Sequence, residues 1–157
     1  MRRISRLIVF VLVLVSGSSA VWAARPFTPR AAYDVQTRRL ENFFRNKTQD
    51  EAALRSIYTR DAILVEANGN TIRGRDRIAR HFRQILASGA VASFAVTTTT
   101  FRSEGKISYA GGYEDIAEIS ANGLRQSRNR FLVLLRYEPD SVWRFDYILE
   151  AKATDRP

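Results

Sequence analysis

The sequence has no cysteine and a single histidine among its 157 residues. The absence of cysteine excludes disulfide scaffolds, iron–sulfur clusters, thiol catalysis and the lipid-modified cysteine of a bacterial lipoprotein. One histidine cannot form a metal site of two or three histidines. The chain also lacks a glycine-rich dinucleotide loop and a lysine-containing phosphate loop. We therefore expect neither a metal nor a cofactor.

The composition is otherwise that of an ordinary folded domain. Hydrophobic residues make up 45% of the chain and charged residues 26%, which excludes a disordered or collagen-like protein. The length corresponds to one domain, since domains usually contain ~100–200 residues. The chain contains no internal repeat and no low-complexity segment. We therefore expect one domain with a single core.

The first 23 residues have the layout of a secretory signal peptide. A basic start at residues 1–6 precedes an apolar run at residues 7–15. Serine and glycine at residues 16–19 end this run, and Val21 and Ala23 are tolerated at the −3 and −1 positions of a cleavage site. As a helix the apolar run spans only about half of a ~30 Å hydrocarbon layer, which disfavours a stable transmembrane anchor. We expect cleavage after Ala23 and export to a bacterial periplasm or beyond, with membrane contact only before cleavage. An uncleaved N-terminal anchor is the alternative.

The excess of basic over acidic residues does not indicate a nucleic-acid partner. The net charge is +9, and loss of residues 1–23 removes three arginines and no acid, which leaves +6. The arginines are spread along the chain, whereas a nucleic-acid binder concentrates them in a stripe beside aromatic residues. Arginines are densest at residues 73–83. On a helix Arg80 and Arg83 lie opposite the apolar side chains of Ile78, Phe82 and Ile85, as on the solvated face of an amphipathic helix. An anion-binding role for this helix is the alternative.

The hydrophobic periodicity predicts three helices followed by long antiparallel strands. Residues 24–33 have no periodicity and are expected to form a flexible tail. The period changes from 3.6 to 2 after Gly89, and Gly111–Gly112 in a later strand indicates a bulge or sharp bend. The predicted helices are residues 34–47, 50–58 and 74–89, and the predicted strands are residues 61–66, 71–72, 91–102, 107–120, 127–137 and 143–150. This order is typical of an α+β fold with helices on one face of a sheet.

Three short motifs resemble one known superfamily. They are Tyr58-Thr-Arg-Asp-Ala62, Gly74-Arg-Asp-Arg-Ile78 and the closing Asp140-x-x-Trp-Arg-Phe145. In this order they resemble the nuclear transport factor 2-like superfamily, and within it the SnoaL-like and ketosteroid isomerase-like proteins. The resemblance covers residues 34–152. It implies a cone-shaped roll, in which three helices pack on a curved, mostly antiparallel sheet around an interior pocket.

A homodimer is expected from the same resemblance and from one strand. Residues 131–135 are apolar on both faces, as expected for a strand at the centre of a sheet. If helices cover only one face, the other needs a partner, and a second copy of the chain is the expected one.

Glu66 is the first candidate catalytic residue. The resemblance to ketosteroid isomerase-like proteins places their general base eight residues after Tyr58, at Glu66. A carboxylate against apolar walls has a raised pKa, as a proton-shuttling base needs. Counting along the chain puts Asn42 and Val133 where those isomerases carry oxyanion-hole donors. True steroid isomerase activity is therefore not expected. The alternative for Glu66 is a solvated carboxylate beside the turn at residues 68–70.

His81 and Asp146 are the other two catalytic candidates. His81 lies at the edge of the predicted apolar face of the third helix, where it could act as an acid in the pocket or lie in water. Asp146 occupies the strand that carries a catalytic aspartate in SnoaL-like cyclases. It alternates out of phase with Trp143, Phe145 and Tyr147, so it points away from the pocket if those rings face the helices. A surface position is the alternative for both residues.

The sequence leaves several alternatives for the residues that line the pocket and for the function of the protein. The candidate pocket-lining residues are Phe43, Tyr58, Phe82, Tyr109 and Tyr113, with core packing as the alternative. One hypothesis is an exported domain that binds a small apolar ligand without catalysis. A second is a cofactor-independent isomerase, cyclase or lyase acting on a carbonyl compound, with Glu66 or Asp146 as base and His81 as acid. A third is an interaction module that docks on another envelope protein.

Overall fold

A computed structural model describes residues 28–48 and 50–153, so the predicted signal peptide lies outside the described residues. The chain forms three helices and six strands in the order α1, α2, β1, β2, α3, β3, β4, β5, β6. The helices are α1 (Pro29–Asn46), α2 (Glu51–Ile57) and α3 (Arg75–Ala87), and the strands are β1 (Tyr58–Val65), β2 (Thr71–Arg73), β3 (Val91–Glu104), β4 (Ile107–Ser120), β5 (Gly123–Tyr137) and β6 (Trp143–Lys152). In the described part of the chain, no helix is long and apolar enough to cross a membrane.

Helix α1 begins earlier than the sequence predicts. It starts at Pro29 rather than Asp34, so residues 29–33 are helical and not part of a flexible tail. The Thr28 hydroxyl accepts a hydrogen bond from the Ala31 backbone N–H at 3.2 Å. Proline suits the first turn because it has no backbone N–H, and the N–H groups of that turn have no partner within the helix. Helix α2 begins where predicted, because the Asp50 carboxylate accepts from the Ala53 N–H at 3.0 Å.

The six strands form one sheet in the order β2-β1-β6-β5-β4-β3. Only the β1–β6 pair is parallel, and every other neighbouring pair is antiparallel. The helices cover one face, and the core lies between them and the sheet. The predicted α+β class, with three helices on a curved and mostly antiparallel sheet, is confirmed.

A bulge in β6 reverses which residues face the helices. Phe145 pairs with Leu135 of β5, but Tyr147 pairs with the adjacent Leu134, so Asp146 is an extra residue on β6. Before the bulge Trp143 and Phe145 are buried toward the helices, and after it Ile148 is. The sequence predicted an unbroken alternation with Tyr147 on the inner face, and that prediction is wrong because of this one inserted residue.

The predicted irregularity at Gly111–Gly112 is present, and the extra residue lies on the neighbouring strand. Thr98 of β3 pairs with Gly112 and Thr100 with Gly111, which leaves Thr99 as the inserted residue. A Cβ atom at Gly112 would lie 2.0 Å from the Thr97 carbonyl oxygen. Glycine is therefore required there, since the close approach is to backbone and not to a flexible side chain.

The outer face of the sheet carries apolar side chains that no described part of the chain covers. Within residues 131–135, Phe131, Val133 and Leu135 are buried toward the helices, whereas Leu132 is 41% exposed. Leu132 lies between Gly111 and Leu149 in the strand register. We call the exposed residues Tyr109, Leu132 and Leu149 the outer apolar patch.

Candidate functional site

A narrow apolar cavity lies between α1, α3 and the inner face of the sheet. Its cavity volume is about 40 Å³, room for two or three water molecules at the ~10–15 Å³ that each needs. Two of the predicted pocket residues, Tyr58 and Phe82, line it. Phe43 is 4% exposed and packs edge-on against Phe44 with ring centroids 5.4 Å apart. Phe43 is therefore a core residue behind the cavity wall.

The cavity opens into a wider mouth. This mouth lies between α3, the C-terminal ends of β4 and β6, and the N-terminal half of β5. The mouth has a volume of about 570 Å³, within the ~300–1,000 Å³ range of ligand pockets. Four residues line both parts: Phe82, Phe94, Glu114 and Glu150. Two carboxyl groups therefore stand at the junction of an apolar interior and a polar entrance.

Glu114 and Glu150 reach this junction from strands on either side of β5. In the register, Glu114 pairs with Asn129 and Glu150 pairs with Phe131, so the two glutamates are offset by one inward-facing position. Glu114 is 7% exposed. Glu150 faces inward because the β6 bulge precedes it.

The two carboxyl groups hold their protons differently. Burial raises the pKa of Glu150 to about 7, the charge of Glu66 adds to this, and a hydrogen bond from the Ala67 backbone N–H opposes it. Burial holds the pKa of Glu114 well above its usual range, and the charge of Glu150 raises it further. Glu150 therefore titrates near pH 7, and burial favours the protonated form of Glu114.

Tyr58 brings a phenol to the same cavity. It is 1% exposed, with its ring 6.3 Å from that of Phe82 and 6.0 Å from that of Phe145. Burial raises the pKa of Tyr58 well above its usual range, and the nearby Glu114 and Glu150 raise it further. The phenol is therefore a permanent hydrogen-bond donor at neutral pH.

Glu66 and His81, predicted from the sequence as base and acid, are brought together at the mouth. The His81 Nε2 and the Glu66 carboxylate are 2.7 Å apart. Asn70 Nδ2 also donates to Glu66 at 2.7 Å, from the turn that follows β1. The Glu66 side chain is 19% exposed and that of His81 25%. Glu66 is thus a partly buried carboxylate with two partners, rather than a solvated strand end.

Asp146, Tyr109 and Tyr113 lie outside the cavity. For Tyr109 and Tyr113 this corrects a predicted position, whereas Asp146 points away from the helices, as its alternation with Phe145 predicts. The Asp146 carboxylate accepts a hydrogen bond from the Thr59 hydroxyl at 2.6 Å and pairs with Arg136 at 2.9 Å. Tyr109 and Tyr113 line a shallow depression on the outer face of the sheet. The alternation along β4 puts them opposite the inward-facing Ala110 and Glu114.

Sequence reasoning missed Glu114 and Glu150. Glu114 stands in β4 two positions after Gly112, in phase with the buried Ala110, and this period-2 phase was a usable signal. Glu150 had no such signal, since the bulge in β6 changes its face. Counting along the chain also did not find a hydrogen-bond donor in the cavity. Asn42, the residue at the position of an oxyanion-hole donor of the isomerases, is exposed, whereas Tyr58 lies in the cavity. Among the described residues, no cluster of three or more acidic or histidine side chains could hold a metal ion.

Comparison with known proteins identifies the architecture. No protein-family model and no curated protein sequence matches the chain. A solved nuclear transport factor 2-like protein with a cystatin-like fold from Novosphingobium aromaticivorans is similar with a TM-score of 0.66 and 17% identity, over 82% of this chain and 84% of that one. The chain has the nuclear transport factor 2-like fold.

Two further solved structures share this fold. A ketosteroid isomerase-like protein from Erwinia carotovora atroseptica has a TM-score of 0.63 and 17% identity, covering 85% of this chain and 99% of that one. A protein from Streptomyces avermitilis described as a putative dehydratase of the nuclear transport factor 2-like family has a TM-score of 0.63 and 14% identity, covering 80% and 99%. The chain thus shares its fold with a ketosteroid isomerase-like protein and with a putative dehydratase.

Proposed function

We propose that the protein catalyses a cofactor-independent proton transfer on a small, mostly apolar carbonyl compound. The observation that carries the proposal is the pair of carboxyl groups at the end of an apolar cavity, where burial raises the pKa of Glu150 to about 7 and favours the protonated form of Glu114. A general base works best when its pKa is near the working pH. We assign this role to Glu150, which removes a proton from the carbon beside the carbonyl group.

Glu114 and Tyr58 are the hydrogen-bond donors of the proposed site. Removal of that proton moves negative charge to the carbonyl oxygen, and neutral buried donors stabilise such an oxyanion. A protonated carboxylic acid and a phenol supply two such donors here. The similarity in fold to a ketosteroid isomerase-like protein and to a putative dehydratase supports this class of chemistry.

The Glu66–His81 pair has a supporting role in this proposal. The Glu66 carboxylate already accepts from two side chains, so it is less available as a base than Glu150. Its charge raises the pKa of Glu150, and His81 at the mouth can relay the proton to solvent. Glu66→Gln should therefore shift the pH–rate profile to lower pH without abolishing the rate, whereas a base at Glu66 requires loss of activity.

Hydrogen exchange in deuterated water tests the proposal without knowledge of the natural substrate. The protein is incubated with a panel of small ketones and aldehydes, and loss of the proton beside the carbonyl is followed by NMR. We expect exchange faster than in buffer for at least one compound, and a fall of at least ~10²-fold in Glu150→Gln. Glu138→Gln, at the β5–β6 turn, is the matched control and should keep the rate. Exchange at the buffer rate, or an undiminished rate in Glu150→Gln, contradicts the proposal.

Ligand binding without turnover is the second candidate function. The small volume of the inner cavity favours it, because about 40 Å³ admits only a thin apolar group and no bulky ring system. Binding of the panel compounds with no exchange of their protons would favour this candidate over catalysis.

We further propose that the protein is exported and forms a homodimer through the outer apolar patch. The basic and apolar pattern of residues 1–23 supports export. The exposed apolar side chains of Tyr109, Leu132 and Leu149 on one sheet face support the dimer.

A further inference from the structure

Two cationic side chains at the rim of the mouth form no ion pair with a carboxylate of the described residues. Arg125 of β5 and Lys152 of β6 are exposed and line the mouth. None of the ion pairs formed within residues 28–48 and 50–153 involves either of them. By contrast, Arg136 and Arg144 elsewhere on the sheet are held by carboxylates at 2.9 Å or less. These two rim cations are therefore free to bind something that enters the mouth.

The strand register fixes where the cations lie relative to the proposed reacting groups. Lys152 follows Glu150 by two residues on the same face of β6, a separation of ~6.5–7 Å along the strand. Asn129 of β5 pairs with Lys152 on one side and with Glu114 on the other. Glu114, Asn129 and Lys152 thus form one row across the inner face of the sheet. Arg125 lies further out along β5, opposite Glu118.

The pocket therefore has three zones along its axis. The innermost zone is apolar and narrow, and the middle zone holds Glu114 and Glu150. The rim carries Lys152 and Arg125, together with the side-chain amide of Asn129 on β5. We propose that the natural ligand is an amphipathic carboxylate: an apolar end fills the inner cavity, the reacting carbonyl lies at the glutamates, and an anionic end binds Lys152 and Arg125. This inference rests on the proposed function and specifies its substrate class.

An anionic ligand fits the charges better than a cationic one. The net charge, +9 for the full sequence and +6 without residues 1–23, attracts anions toward the protein. A cationic ligand would pair with the ionised Glu150, the group that has to accept a proton, and Glu66 at the mouth is already engaged by His81 and Asn70. The rim cations instead offset the repulsion between Glu150 and an entering carboxylate.

Three probes with the same alkyl chain and different end groups test the inference: octanoate, octanamide and octylamine. Their affinities are measured by calorimetry at pH 8 and low salt. We expect octanoate to bind at least ~10-fold more tightly than octanamide, as for hydrogen bonds to charged groups, and octylamine to bind most weakly. The preference for octanoate should shrink as salt is added, because both cations are exposed.

Paired variants separate the rim cations from the overall charge of the protein. In Arg125→Gln/Lys152→Gln the affinities for octanoate and octanamide should become equal within about two-fold. Lys106→Gln, in the turn at the opposite end of β4, also removes a positive charge and should keep the preference. Arg125, Lys152 and Lys106 are all exposed, so the variants should fold like the wild-type protein.

The outcomes distinguish failure of this inference from failure of the proposed function. Equal binding of octanoate and octanamide, tightest binding of octylamine, or a preference that survives in the double variant overturns the anionic-substrate inference alone. If none of the three probes binds, the apolar cavity does not accept a ligand chain, and the proposed function falls with the inference.

Discussion

Replacing Glu150 with glutamine should make the stability of the protein less dependent on pH. Burial raises the pKa of Glu150 from 4.5 in the unfolded chain to about 7 in the fold. Between these values the folded state keeps a proton that the unfolded state has lost, so the free energy of unfolding falls as pH rises through this range. Glutamine keeps the shape of the side chain and carries no charge, so the variant avoids this loss.

The size of the effect follows from the shift in pKa. A shift from 4.5 to about 7 corresponds to about 3 kcal/mol, at 1.36 kcal/mol for each pH unit. The full contribution is present below pH 4.5 and is lost above pH 7. We therefore expect the stability of Glu150→Gln, relative to wild type, to increase by about 3 kcal/mol from pH 4.5 to pH 8.

Urea unfolding at the two pH values measures this difference. Fluorescence of Trp143, which is 6% exposed in the core, reports the transition. Groups that do not interact with residue 150 contribute equally to both proteins and largely cancel in the comparison. Asp146→Asn, four residues earlier on β6 and outside the cavity, is the control and should keep a constant difference from wild type. A constant difference for Glu150→Gln, or one that changes in the opposite sense, would refute the reasoning.

The remaining predictions concern the bulge, the outer face and export. Gly112→Ala should lower the free energy of unfolding by at least ~2 kcal/mol in urea, because its Cβ would meet the Thr97 carbonyl oxygen; an unchanged midpoint would contradict the register of β3 and β4. The protein should sediment as a dimer at micromolar concentration and Leu132→Asp as a monomer, whereas a monomeric wild type would reject the dimer. N-terminal sequencing of exported protein should begin at Ala24, and a full-length chain in the cytosol would contradict export.

Most of the fold could be predicted from local patterns. The β-branched run at residues 96–100, the tight turns and the double glycine indicated long antiparallel strands, and their limits in β4 match the structure. Periodicity places the start of α1 at Asp34, whereas Thr28 caps the helix; the extra residues before Asp34 are too few to show a helical period by themselves. Such a cap can be recognised only when the residues after it are already known to be helical.

The candidate site was less predictable than the fold. Glu66 was a candidate because of the resemblance to ketosteroid isomerase-like proteins, and His81 because of its place at the edge of the apolar face of the third helix. The structure places their side chains 2.7 Å apart. Glu150 was missed because one bulged residue inverts the facing of the rest of β6. Bulges depend on pairing with neighbouring strands, and the pattern of a single strand does not reveal them.

The carboxyl titrations of Glu150 and Glu114 test the central claim most directly. The measurement is the pH dependence of the ¹³C chemical shifts of glutamate carboxyl groups in wild type, in Glu150→Gln and in Glu114→Gln, from pH 4 to 10. The account predicts one signal with a midpoint near pH 7 that is missing in Glu150→Gln. It also predicts a second signal, missing in Glu114→Gln, that remains protonated at pH 7. Titration of every glutamate below about pH 5, as in solvent-exposed side chains, would contradict it.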